Sequence, residues 1–233
     1  MELGDFDPSS TAIAFTLGSE QANLPEPALT RTFDRYFTQV EERQRAGTEG
    51  DDGYTPYELR NVGALVRLGQ RERALALLEI LLDGQRPPAW NEWAEVVWRD
   101  ARAPRFIGDM PHTWVGSSFI ESVRTMFVYE RDADRSLVVA AGVPLAWVEA
   151  SGITLQRLPT HYGILTYSLR RTAPNAMQLT LTGDLSVPPG RIVLKPPLPQ
   201  PLKAVRVNGS PITTFTADSA TIEQVPADVV LEY

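Results

Sequence analysis

The chain has 233 residues, of which 22 are basic and 29 acidic, so its formal net charge is −7. This acidic balance, without any Lys/Arg cluster, argues against a nucleic-acid partner, because phosphate binding requires a concentrated positive face. The absence of cysteine excludes disulfides, thiolate zinc sites and cysteine nucleophiles, and two histidines disfavour a histidine-based metal site. No motif indicates a cofactor.

The amino terminus carries no basic region followed by an apolar core, so the sequence as written predicts a cytoplasmic protein. This expectation holds only if the chain is not part of a longer protein. The apolar stretches are far shorter than the roughly 20 residues of a membrane span, and no membrane partner is expected. Asp5 and Asp7 precede an apolar run and are predicted to be turn and N-cap residues.

The first half of the chain has the apolar period of amphipathic helices. The first helix is predicted between Pro25 and Arg45, from the spacing of Leu29, Phe33, Tyr36, Phe37 and Val40. An acidic, Gly-rich turn over 48–56 follows it. A second helix is predicted from Pro56 to Gly69 and a third directly after it, over 71–84. The short connection between them predicts an αα-hairpin. A further helix is predicted from about Thr113 to Glu130.

After Asp132 the apolar period changes from helical to two, which is typical of strands. Turn signals at 174–175, 188–190 and 208–209 separate the predicted strands, which are 137–140, 153–158, 163–170, 176–181, 191–195, 204–207, 220–224 and 229–232. Short strands at this spacing favour an antiparallel β-sandwich. The sequence therefore predicts an α+β protein in two parts, with helical hairpins over 1–131 and the sandwich over 132–233.

The segment between the third and fourth predicted helices has no sustained period and is rich in Trp and acidic residues. Four of the five tryptophans lie within 25 residues, and acids and a histidine lie among them: Trp90, Trp93, Trp98, Trp114, Glu92, Glu95, Asp109 and His112. Sugar rings stack on indole while their hydroxyls bind carboxylates, so this composition is typical of a sugar subsite. The alternative is that these tryptophans are core residues under a long loop.

Glycoside cleavage requires two carboxyl groups, one that protonates the leaving oxygen and one that acts as base or nucleophile. Glu92 and Glu95 are three residues apart and share a face if the segment is helical. They are equally well explained as solvated surface acids. His112, at a helix start, either orients a carboxylate or caps the helix.

The order of these pieces resembles the end of the six-hairpin (α/α) barrel glycosidases, and in particular the bacterial α-L-rhamnosidase type. The stretches that carry the resemblance are Trp90–Trp93, similar to a W-E-x-W motif, His112–Ser117, similar to N-H-x-x-F-G-S, and Thr160–Ser168, similar to a strand of the following sandwich. The resemblance implies a partial (α/α) toroid and an inverting hydrolysis. The family's base stands directly after the first Trp, where this chain has Asn91.

The resemblance implies Glu92 as the first candidate for the base and Glu95 as the second. Trp90, Trp93, Asp109, His112 and Trp114 are then expected to bind a glycoside or polysaccharide. The family's general acid lies in an earlier barrel half, so catalysis is expected to need that missing half or a homo-oligomer. Two alternatives stay open, a non-catalytic carbohydrate-binding domain and a structural accessory domain.

Overall fold

The computed structural model of the chain describes residues 8–16, 23–46, 53–100, 102 and 105–233. Asp5, Asp7 and most of the acidic turn over 48–56 lie outside the described residues. The chain divides into two compact units, unit 1 over Met1–Thr125 and unit 2 over Met126–Tyr233. This division falls six residues before the end of the helical half predicted from the sequence.

The helices lie mostly in the amino-terminal part of the chain, as the sequence predicts. They are α1 (Ser9–Thr16), α2 (Ala28–Ala46), α3 (Arg60–Arg67), α4 (Arg71–Leu82), α5 (Thr113–Phe127) and α6 (Leu145–Ala150). Two 3-10 turns, Pro56–Leu59 and Pro88–Trp90, precede α3 and follow α4. None of the helices in the described part of the chain combines the length and apolar character that crossing a membrane requires.

The apolar spacing that predicts α2 corresponds to its buried face. Leu29, Phe33, Tyr36, Phe37 and Val40 are all buried. The connection between α3 and α4 is closed by Gly69, which has φ +76°. Gln70 N–H donates to the carbonyl of Leu65 and Gly69 N–H to that of Val66, so the end of α3 is satisfied by the backbone of its own connection. The two helices pack together, as an αα-hairpin requires.

Unit 2 contains ten strands in two sheets. The strands are β1 (Val128–Arg131), β2 (Ser136–Val139), β3 (Ile153–Thr160), β4 (Gly163–Ala173), β5 (Ala176–Thr182), β6 (Ile192–Leu194), β7 (Ala204–Val207), β8 (Ser210–Ile212), β9 (Ala220–Ile222) and β10 (Ala227–Glu232). One sheet has the order β1-β2-β6-β9 and the other β3-β4-β5-β10-β7-β8. Side chains from both sheets contribute to one apolar core, which includes Leu137, Ile192, Leu169, Leu179 and Val229.

Two of the predicted turns lie between consecutive strands. The β4–β5 hairpin turns at 174–175, as predicted, and pairs Leu169 with Leu179. The turn at Asn208 and Gly209 has φ values of +50° and +81° and joins β7 to β8. Positive φ at both central residues is what a two-residue hairpin turn needs for its strands to follow the natural twist of a sheet.

Three details of the β half differ from the prediction. The pair β2–β6 is parallel, so the sheets are not wholly antiparallel. The helix predicted to reach Glu130 ends at Phe127, because residues from Val128 pair with β2 instead. Strand β8 and helix α6 were not predicted, since three and six residues respectively are too few for a periodic signal.

Candidate functional site

The segment that joins α4 to α5 is mostly extended rather than helical. Its two arms lie side by side, with Glu95 N–H donating to the carbonyl of Asp109 at 3.1 Å and Val96 N–H to that of Ile107 at 2.9 Å. Val97 also exchanges two backbone hydrogen bonds of 2.9 Å with Tyr54. These bonds fix a segment that has no periodic sequence signal. Glu92 and Glu95 consequently do not share a helical face.

Trp93 anchors this segment from beneath. Its side chain is 2% exposed, and its indole Nε1 donates to the carbonyl of Leu81 at 2.7 Å. Its ring centroid lies 5.3 Å from that of Phe119, and its own carbonyl accepts from His112 N–H at 2.9 Å. The sequence predicts Trp93 as a sugar-binding residue, but its ring is a core element with no face at the surface. Its place in the site is to hold His112 through the backbone.

An open pocket of about 620 Å³ lies above this anchor. Four of the residues predicted from the sequence line it together, namely Glu95, Asp109, His112 and Trp114. Tyr57, Met110, Pro111 and Thr113 complete the lining. The indole of Trp114 is 68% exposed, so one aromatic surface is open to a ligand beside two carboxylates.

His112 links two other side chains of the pocket. Its Nε2 lies 2.5 Å from the Tyr57 hydroxyl, and its Nδ1 lies 4.0 Å from Asp109 Oδ2. A neutral imidazole with its proton on Nδ1 presents that N–H to the carboxylate and leaves Nε2 to accept from the phenol. Partial desolvation raises the pKa of Tyr57, the nearby Arg60 opposes this, and the charges of Glu95 and Asp109 reinforce it. The raised pKa keeps the phenol protonated, so it donates to Nε2 when the imidazole proton is on Nδ1.

Tyr57 reaches the pocket because its 3-10 turn is held from two sides. The Thr55 hydroxyl accepts from Tyr57 N–H at 3.4 Å at the start of the turn. The next residue, Glu58, is buried and accepts from the Tyr36 hydroxyl at 2.6 Å and from both terminal nitrogens of Arg43 at 2.8 and 2.7 Å. This two-pronged ion pair is a rigid geometry for a carboxylate, so the turn that carries Tyr57 is firmly placed.

Arg60 lies against the other side of Tyr57. Its guanidinium carbon is 4.3 Å from the Tyr57 ring centroid, and its Nε donates to the Ser118 hydroxyl at 3.2 Å. The phenol ring is thereby held between a cation on one side and His112, edge-on at 5.3 Å between centroids. Ser118 lies on α5, so these contacts connect the turn to the helix that begins at the pocket.

Glu92 and Trp90 do not line the pocket. Trp90 ends the second 3-10 turn and is 63% exposed, while Asn91 has φ +52°. Asn91, in the left-handed conformation, turns the chain between Trp90 and Trp93. The indole of Trp90 is therefore exposed while that of Trp93 is buried. Of the two glutamates predicted as candidates for the base, Glu95 lines this pocket and Glu92 does not.

Tyr57 was not predicted as a site residue. It lies 35 residues before Glu92 in the sequence, and its only local signal is the Thr-Pro start of a helical turn. That signal predicts the turn but not the partner of its side chain. Among the described residues there is no group of three or more His, Asp or Glu side chains able to hold a metal ion.

A second depression of unit 1 is lined by three arginines and two acids. Arg43, Arg86 and Arg99 lie on its walls together with Glu79 and Asp83, and Arg43 is paired with Glu58. This mixture of charges distinguishes the depression from the pocket at Tyr57, whose lining contains acids but neither lysine nor arginine.

No known family model matches the chain, and a search of curated proteins finds no match.

Proposed function

We propose that this chain is a glycoside hydrolase-like protein and that the pocket lined by Tyr57, Glu95, Asp109, His112 and Trp114 binds the glycoside. The observation that carries the proposal is the open indole of Trp114 beside two carboxylates in one pocket. The apolar C–H face of a sugar stacks on indole, and its hydroxyls donate to carboxylate oxygens. A polysaccharide chain enters such an open pocket more readily than a closed cavity.

In this proposal Glu95 is the base that activates water and Asp109 binds substrate hydroxyls. Tyr57 and His112 form a hydrogen-bonded pair that orients the ligand. An inverting reaction places its general acid roughly 6.5–9.5 Å from the base, on the opposite side of the sugar. We propose that a further polypeptide segment, or a second copy of this chain, supplies that acid. The helical hairpins of unit 1 then form part of an (α/α) toroid, and the two sheets of unit 2 form a β-sandwich.

A second candidate function is carbohydrate binding without hydrolysis. It is favoured by the side chain of Asp109, which is 86% exposed and so remains fully hydrated. Catalytic carboxyl groups are normally tuned by an environment that excludes water from one of the pair. An open pocket suits binding more than it suits bond cleavage.

Calorimetry with methyl rhamnosides, glucosides and mannosides tests the proposal. Trp114→Ala should weaken binding by about 1–1.5 kcal/mol, or roughly tenfold in Kd, because the stacking surface is lost. Trp90→Ala is the matched control, since Trp90 is equally exposed but does not line the pocket. Equal losses for both variants, or no binding by the parent protein, would contradict the proposed site.

Hydrolysis of the same glycosides separates the two candidate functions. Turnover by the parent protein that is abolished by Glu95→Gln and retained by Glu92→Gln supports the hydrolase. Binding without turnover in the parent supports the carbohydrate-binding domain. Turnover that depends on Glu92 instead of Glu95 would overturn the assignment of the base.

A further inference from the structure

The charges that face the pocket are all of one sign. Two carboxylates, Glu95 and Asp109, line it, and neither a lysine nor an arginine does. The Nδ1 atom of His112 lies 4.0 Å from Asp109 Oδ2. Every lysine and arginine of the sequence lies within the described residues, so the remaining residues contribute no further cationic side chain.

Two nearby features oppose this negative charge. Arg60 does not line the pocket, but its guanidinium lies against the ring of Tyr57, which does, and it donates to Ser118. The start of α5 at Thr113 contributes the positive end of a helix dipole, worth about half an elementary charge. The lining itself contains two carboxylates and neither a lysine nor an arginine.

The aromatic side chains add to the attraction for a cation. Tyr57, His112 and Trp114 are neighbours in the pocket, with centroid separations of 5.3 Å and 6.3 Å along the series. Aromatic faces attract ammonium groups through the ring quadrupole, and the exposed Trp114 is the strongest of the three in this respect. A pocket lined by carboxylates and aromatic rings suits a ligand that carries an ammonium group on a ring with an apolar face.

We propose that this pocket selects an amino sugar over neutral and acidic sugars. The inference rests on the proposed function, since it names the class of glycoside that the same pocket binds. The ammonium group pairs with Glu95 and Asp109 while the sugar ring stacks on Trp114. A uronic acid is disfavoured because its carboxylate meets two like charges.

Matched sugars test this selection directly. Calorimetry compares methyl glucosaminide with methyl glucoside, which differ only in an ammonium in place of one hydroxyl, and extends to the corresponding galactose and mannose pairs. Methyl N-acetylglucosaminide removes the charge, and methyl glucuronide reverses it. We expect the glucosaminide, or another amino member of the panel, to bind about tenfold more tightly than its neutral counterpart at low salt. The ratio of amino-sugar affinity to neutral-sugar affinity should decrease as NaCl screens the carboxylates.

Variants identify the carboxylates responsible. Glu95→Gln and Asp109→Asn should each lower the ratio of amino-sugar affinity to neutral-sugar affinity by about threefold, in addition to any loss of affinity that the two sugars share. Glu92→Gln is the control, because it removes the same charge from the same segment but outside the pocket lining. A preference that Glu92→Gln reduces as strongly as Glu95→Gln would contradict the assignment to this pocket.

The possible results separate this inference from the function on which it rests. Equal binding of amino and neutral sugars, with Trp114→Ala still weakening both, overturns the inference and leaves the proposed function standing. Tighter binding of the glucuronide overturns it as well. Absence of binding by every sugar overturns the proposed function itself. An amino-sugar preference that survives in the Glu95→Gln, Asp109→Asn double variant assigns the selectivity to other groups and overturns the inference.

Discussion

The two units of this chain differ in what they bury. Among the described residues, unit 1 holds most of the buried polar side chains, which include Ser118, Ser122, Thr125, Asn61 and the charged Glu58. The core of unit 2 is almost wholly apolar and is formed by alternating residues of its strands. Buried polar groups usually have partners, and several in unit 1 bind a particular neighbour, as the Ser122 hydroxyl does by donating to the carbonyl of Leu59.

This difference has a consequence for the site. The Glu58 ion pair and the Trp93 hydrogen bond hold the turn and the segment that carry Tyr57, Glu95 and His112. Apolar packing alone tolerates small shifts, whereas hydrogen bonds are directional. The polar interior of unit 1 therefore defines the positions of its pocket residues, and the interior of unit 2 chiefly supplies stability.

The sharpest test of this contrast is Trp93→Ala. The side chain is fully enclosed and its Nε1 is hydrogen-bonded, so truncation should lower the free energy of unfolding by about 3–5 kcal/mol. Urea unfolding followed by far-UV circular dichroism measures the loss without relying on tryptophan fluorescence. Trp114→Ala, at an exposed position, should change stability by less than about 0.5 kcal/mol. A loss for Trp93→Ala below about 0.5 kcal/mol, the value expected for Trp114→Ala, would show that Trp93 is not a core element.

The buried ion pair gives the next largest effect. Glu58→Gln preserves the volume of the side chain but leaves Arg43 without its charged partner, and we expect a loss of about 2–3 kcal/mol in the free energy of unfolding. This loss in the free energy of unfolding is smaller than for a fully enclosed ion pair, because the Arg43 side chain is 23% exposed. Urea unfolding provides the measurement.

Glu41→Gln is the control for Glu58→Gln. Glu41 approaches Arg45 at 3.9 Å on the surface of α2, where both side chains are more than half exposed. Such a pair contributes well under 1 kcal/mol. If the two substitutions cost the same, the Glu58 pair is not a structural determinant of the Tyr57 turn.

The same contrast explains what could be predicted from the sequence. Period-two alternation and turn residues such as Asn208 and Gly209 determine strands locally, so most strands of unit 2 were predicted within a few residues. The helices α2 and α4 were predicted from their apolar faces for the same reason. The β2–β6 pairing was not, because parallel neighbours are chosen by tertiary packing and not by a local turn.

The site could be predicted only in part. Glu95, Asp109, His112 and Trp114 were identified by composition, since acids and tryptophans cluster in one irregular segment. Composition could not distinguish Trp93 from Trp114, because burial depends on the backbone bonds that fix the segment. Tyr57 comes from a distant turn, and its pairing with His112 is a long-range contact that no local pattern encodes.

Alkaline pH tests the raised pKa of the partly buried Tyr54 phenol in unit 1. Burial raises the pKa of Tyr54 to about 12, the charge of Glu58 adds to this, and Arg43 and Arg86 oppose it. The unfolded chain ionises near pH 10, before the folded chain does, so stability is intact below pH 10 and declines as the pH rises toward 12. We expect Tyr54 to account for a loss of about 1 kcal/mol at pH 11, after allowing for its partial exposure.

Urea unfolding at pH 8 and pH 11 measures this decline for the parent protein and for Tyr54→Phe. The variant lacks the ionisable group, so its decline between the two pH values should be smaller by about that amount. Tyr36 and Tyr167 also have raised pKa values, and part of the decline should therefore remain. Identical declines in the parent and the variant would exclude Tyr54 as a contributor.

A pair of glycine substitutions gives the smallest effects and opposite signs in the two units. Gly209 in unit 2 has φ +81°, and Gly209→Ala forces a side chain into the left-handed region at a cost of about 1 kcal/mol. Gly116 in unit 1 lies in the first half of α5 with open space around its Cβ position, so Gly116→Ala should stabilise by about 0.5 kcal/mol. A Cβ at Gly209 also meets nothing within 4 Å, so steric contact cannot explain a difference between the two. Urea unfolding of both variants measures the signs.

If both substitutions lower the free energy of unfolding, Gly116 contacts a ligand or another chain that the structure does not contain. If Gly209→Ala leaves the free energy of unfolding unchanged, the register of the hairpin depends on the strands and not on the turn.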